Sequence, residues 1–83
     1  MATKKQAAVA RARIALRQAI DRACIARGEA QWTNGYRAGL LQAGMANEAD
    51  GLYRKEMMQY DQCSKAELYV ERLMAAYART IKT

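Results

Sequence analysis

The side chains able to do chemistry in this chain are few. There are two cysteines, Cys24 and Cys63, one serine, Ser64, and no histidine. Without histidine the most versatile proton carrier is missing, and no nucleophile has an obvious base beside it. Two thiols without further cysteine or histidine cannot supply the four N/S ligands of a closed zinc site, so no metal or other cofactor is expected. One disulfide is possible, but so sparse a pair is equally at home in a reducing cytoplasm, the expected location. Both thiols sit near apolar stripes and read as small buried hydrophobes. Ser64 opens Ser64-Lys65-Ala66-Glu67, a capping-box pattern, and is expected to cap a helix. The carboxylates fall at spacings natural to solvated helix faces. Gly39, Gly44 and Gly51 lack the preceding strand and following Gly-Lys-Ser/Thr of a phosphate loop. The chain therefore reads as a binding protein and not as an enzyme.

Candidate binding residues are clearer. Ala7, Ile14 and Ile25 fall together on the first helix, opposite its core stripe, with Arg11, Gln18, Asp21 and Arg22 around them. An apolar centre inside a charged rim is the usual anatomy of a protein interface. Trp32, the only tryptophan, and Tyr36 are further anchors, because large aromatics dominate interfaces when not buried at home. The five tyrosines, at 36, 53, 60, 69 and 77, lie at or near expected buried stripes and replace the absent phenylalanine.

The net charge of +6 is unevenly placed. Lys4, Lys5, Arg11, Arg13, Arg17, Arg22 and Arg27 face a single acid, Asp21, in the first 27 residues. Clustered cations neutralise phosphates, so Lys4, Lys5, Arg11, Arg13, Arg17 and Arg22 form an alternative, nucleic-acid-binding set. Against it, the arginines wrap around the helix, and no recognition-helix pattern accompanies them.

These residues must be held by helices. The chain of 83 residues has no proline and few β-branched residues, and is rich in good helix formers. It is expected to form one all-α domain, 1–83, a bundle of three to four helices. A long basic N-terminal helix runs from Thr3 or Lys4 to Arg27 and ends at Gly28. Val9, Ala12, Leu16, Ala19, Ile20 and Ala23 form its core stripe, with Cys24 at the edge. Glu29 to Gly35 is a connector. A short second helix, Gly35 to Ala43, ends at Gly44. Asn47 caps a third, with Ala49, Tyr53, Met57 and Tyr60 inward. After a weak break at 61–64, a fourth buries Val70, Leu73, Tyr77 and Ile81; alternatively the last two run together as one kinked helix. The Arg-rich, acid-poor N-terminus lacks the serines of a transit peptide and reads as part of the mature fold. No stretch reaches the roughly 18 apolar residues of a membrane span.

The stretch Gly39 to Met57, GLLQAGMANEADGLYRKEM, resembles the helix-turn-helix middle of a tetratricopeptide or pentatricopeptide repeat. It occurs once, and such folds need about three repeats to bury a core, so the resemblance implies an αα-hairpin and no function. A core this small usually needs a supplement, and association into a homo-oligomer such as a homodimer is the expected one. The leading expectation is a protein-binding regulator whose partner offers an acidic surface. Small, basic, alanine-rich chains without catalytic groups suit phage- or plasmid-type accessory proteins that bind and inhibit a host protein.

Overall fold

The structure is a computed structural model that describes residues 3–82. It is all-α but contains two helices where three or four were expected. Helix α1 spans Lys4–Gln42, helix α2 spans Ala46–Lys82, and the two form one antiparallel hairpin measuring 63 × 18 × 14 Å. Thirty-nine helical residues at 1.5 Å each account for about 58 Å, so each helix runs the full length of the molecule.

The ends of α1 follow from local chemistry. Thr3 caps it: its Oγ1 accepts from the Gln6 N–H at 3.1 Å, and the Gln6 side chain accepts from the Thr3 N–H at 2.9 Å. The other end closes at Gly44, whose φ of 77° only glycine adopts freely. There the Met45 N–H donates to the Leu40 carbonyl at 2.8 Å and the Gly44 N–H to that of Leu41 at 3.1 Å, a Schellman motif. The Ala49 N–H bonds the Met45 carbonyl, so α2 starts two residues earlier than a helix capped by Asn47 would, and Asn47 lies inside its first turn.

Gly28 does not stop α1, and the stretch 29–35 is helix, not connector. Gly28 and Gly35 have negative φ, so the glycine signal for a helix end was not used there. Likewise 61–64 is continuous helix, and Ser64 is no cap. The last two expected helices run together as one, as the alternative had it.

The reason lies in the inward positions. In α1 the least exposed residues are Val9, Ala12, Leu16, Ala19, Ala23, Ala26, Ala30, Thr33, Arg37 and Leu40. In α2 they include Ala49, Leu52, Glu56, Gln59, Cys63, Ala66, Val70, Leu73, Tyr77 and Thr80. Both rows step alternately by three and four residues, the seam of an antiparallel coiled coil, and neither breaks phase at a glycine. Alanine dominates the α1 row, which permits the close end of the range of helix separations, about 8 Å. Ile20 and Cys24 are exposed, at the edge of this seam; Tyr53 and Met57, expected inside, are exposed as well, and so is Ile81.

One polar cluster interrupts the seam. Glu56 is 1% exposed and accepts from Asn34 Nδ2 at 2.5 Å and from the Arg37 guanidinium. These bonds hold its carboxyl below the usual range, Asn34 most strongly, against the opposing effect of burial. Arg37 also lies over the Tyr53 ring, 5.4 Å from its centre. Sliding the helices past each other would leave a buried carboxylate unpaired, so Glu56 fixes the register in a seam of otherwise interchangeable small residues. Further along, Arg27 pairs with Glu67 and Arg13 donates to the Tyr77 hydroxyl at 3.5 Å.

Candidate functional site: two faces of the hairpin

A seam made of small residues displaces the large apolar ones outward. They gather on the two broad sides of the hairpin. One side carries Ile20, Cys24, Arg27 and Leu41 of α1, with Tyr53, Met57, Tyr60, Glu67, Met74 and Ile81 of α2. At its middle Ile20, Ala23, Cys24, Arg27, Glu67 and Val70 line a shallow groove. The opposite side carries Trp32 and Tyr36, with Glu29, Thr33, Lys55 and Gln59 completing a second concavity beside the tryptophan. They are called below the cysteine face and the tryptophan face.

The residues expected to meet a partner lie together. Arg11, Gln18, Ile25 and Trp32 follow one another at seven-residue steps, so they form a single line along the tryptophan face of α1. Arg22 and Tyr36 stand beside that line, and Ile14 lies at its outer edge, one turn from Arg11 and Gln18. The apolar members are open to solvent: Ile14 is 58%, Ile25 63%, Trp32 67% and Tyr36 51% exposed. Trp32 and Tyr36, one turn apart, stack with ring centres 5.4 Å apart and planes 8° from parallel. Stacking fixes both rings in place and presents a rigid aromatic surface.

Three residues of this face were not legible as site residues. Lys55 and Gln59 come beside Trp32 only because α2 folds back along α1, and Glu29 because α1 runs unbroken through the stretch expected to be a connector. Gln59 Oε1 is buried without a hydrogen-bond partner among the described residues. An orphaned acceptor costs free energy until a donor reaches it. No signal in the sequence marks it, since the register of the two helices decides what lies beside it.

The basic set is divided by the fold. Lys4, Arg11 and Arg22 lie on the tryptophan face, where Lys55, Lys65 and Arg72 of α2 join them; Glu29 and Glu48 are the acids there. Arg13, Arg17 and Arg27 lie on the cysteine face, where Asp50, Glu67 and Glu71 balance them. Lys5 lines a groove with Gln6, Val9, Ala10 and Arg13. The tryptophan face is therefore strongly basic and the cysteine face close to neutral.

Both cysteines are free, Cys24 exposed and Cys63 buried. The expectation of two buried thiols holds for Cys63 alone. Burial pushes the Cys63 thiol up, and its bond to Glu67 Oε1 at 3.4 Å adds to the effect, so it stays protonated and unreactive. Among the described residues no group of three or more His, Cys, Asp or Glu side chains is placed to hold a metal ion. No helix there is long and apolar enough to cross a membrane.

The chain matches no protein-family model, no curated protein and no solved structure.

Proposed function

We propose that the protein is a non-catalytic, cytoplasmic binding protein that regulates another protein by docking the tryptophan face against it. The observation that carries this reading is the exposed, stacked pair Trp32–Tyr36 in line with Ile25, Gln18 and Arg11. Rigid aromatics with an aliphatic neighbour and an arginine rim are the residue types that dominate binding energy at protein interfaces. The basic rim of Arg11, Arg22 and Lys55 selects a partner with an acidic surround, and steers its approach. Such a protein acts by occupying a surface of its target, as a small phage- or plasmid-type inhibitor of a host protein would.

The concentration of cations on the same face also supports a second reading, in which it lies along a nucleic-acid backbone. The two readings part on salt and on substitution. The test is capture of partners by the tagged chain, with and without nuclease, using the parent and the Ile14→Asp/Ile25→Asp variant. For a protein partner the double variant abolishes capture, nuclease has no effect, and raising salt from about 50 to 200 mM weakens it only modestly. Capture lost on nuclease treatment, with a steep salt dependence, would overturn the protein reading in favour of nucleic acid. Capture that survives both the nuclease and the double variant would show the site to lie elsewhere.

A further inference from the structure

The cysteine face carries a different message. In α2 the line next to the seam runs Tyr53, Tyr60, Glu67, Met74 and Ile81, four of five apolar, and it continues on α1 through Ile20 and Leu41. Apolar residues at both seam positions and at one flanking position are the pattern of a helix in a bundle; a two-stranded seam needs only the first two. In the hairpin most of this extra row is uncovered: Ile20, Leu41, Tyr53, Met74 and Ile81 are each around half exposed.

The area agrees. The chain exposes 6480 Å². A compact monomer of its mass would expose about 5,000 Å². The excess, about 1,500 Å² per chain, is more than the ~800 Å² that each partner contributes to a standard stable interface.

Charge identifies the occupant. On the cysteine face the cations Arg13, Arg17 and Arg27 all belong to α1, and the acids Asp50, Glu67 and Glu71 all belong to α2. A surface divided in this way is complementary to itself under a two-fold axis along the hairpin. That operation sets α1 of each chain against α2 of the other and keeps every residue at its own height. Arg17 lies between Arg13 and Arg27, and Glu71 between their respective partners, Tyr77 and Glu67, so Glu71 stands roughly one helical turn from the height of Arg17, within the span of the long arginine side chain. The alternative two-fold axis, across the hairpin, would set α1 against α1 and bring cations against cations. The tryptophan face, basic on both helices, repels its own copy.

We infer that the cysteine face binds a second copy of this chain, forming a four-helix bundle in which α1 packs on α2 of the partner and Arg17 meets Glu71 of the partner subunit. Both tryptophan faces then point outward, free for other partners.

The test is sedimentation equilibrium of the full chain and three variants at tens of micromolar. The parent should have twice the 9.3 kDa chain mass. Arg17→Glu, which opposes Glu71 of the partner subunit with a like charge, should weaken the dimer by about tenfold or more. Adding Glu71→Arg to it should restore the parent's affinity. Both positions are exposed, so neither change disturbs the seam. The Ile14→Asp/Ile25→Asp variant should remain dimeric. A monomeric parent, or a mass other than twice the chain's, overturns the inference. So does an Arg17→Glu effect that Glu71→Arg fails to reverse, or a dimer lost in the Ile14→Asp/Ile25→Asp variant, which would place the interface on the other face.

Discussion

Gly28→Ala distinguishes one unbroken N-terminal helix from two shorter ones by the sign of its effect. In the hairpin Gly28 lies in the interior of α1 with negative φ, and nothing stands within 4 Å of the position a Cβ would occupy. Alanine there keeps the backbone conformation and removes glycine's entropic penalty, a gain of about 0.8–1 kcal/mol. For a domain of this size the melting temperature should rise by about 4–8 °C. Were Gly28 instead the left-handed residue ending a shorter helix, the same change would cost about 1–2 kcal/mol and lower the melting temperature comparably. Gly44→Ala is the internal control: its φ of 77° makes it destabilising on either view. Melts followed by far-UV circular dichroism, at one protein concentration so that self-association does not move the midpoint, measure both. A Gly28→Ala variant that melts below the parent would refute the continuous helix, and with it the seam phase on which both faces depend.

Two further predictions concern the seam. Ala30 is fully buried, so Ala30→Leu should destabilise by about 1–3 kcal/mol through overpacking, whereas Ala75→Leu, exposed on α2, should change stability little; urea unfolding compares them. The folded-state pKa values of Glu56 and Glu67 are depressed, the first mainly by Asn34 and the second mainly by Arg27. Both therefore contribute stability that is full above their unfolded values, near pH 4–5, and is lost as pH falls through the lower folded values. Stability measured from pH 7 down to pH 2 should be level and then fall in the acid range, and Glu56→Gln should reduce that fall; an unchanged acid limb in the variant would sink the assignment.

How far the sequence revealed this fold depended on residue size. The Thr3–Lys4 start, the turn at Gly44 and the inward Val70, Leu73 and Tyr77 were all legible, because each rests on local chemistry or on large apolar side chains. The α1 seam was half legible, since Ala12, Leu16, Ala19 and Ala23 already show its phase. Beyond Gly28 the phase continues through Ala30, Thr33 and Arg37, none of which stands out in a hydrophobic pattern. In α2 the inward row holds Glu56 and Gln59 while Tyr53 and Met57 lie outside it, so choosing the more apolar residues turns the helix the wrong way. Glycine signals at 28 and 35 then looked like breaks, although only Gly44 has the conformation that requires glycine. The expected contact residues fared differently. Ile14, Ile25, Arg11 and Gln18 could be grouped from α1 alone, because spacing along one helix is enough to place them on one side.

The small residues of the seam and the large residues outside it have one physical cause. A two-helix hairpin has only one internal contact line, and filling it with alanine brings the helices close but removes little apolar area from water. Among the described residues its buried apolar side chains are Ala19, Ala23, Ala30, Ala49 and Cys63. At about 25 cal/mol per Å² such side chains contribute little against the entropy of ordering two long helices. The residues able to contribute more, Ile20, Trp32, Tyr53, Met74 and Ile81 among them, stand on the broad faces, where only another chain can cover them. A mutation that enlarged the seam would internalise stability and separate the helices, disturbing both faces at once. The thin alanine seam thus leaves two separate exposed surfaces, and on the reading proposed above the neutral face takes the second copy while the basic face stays open to another partner.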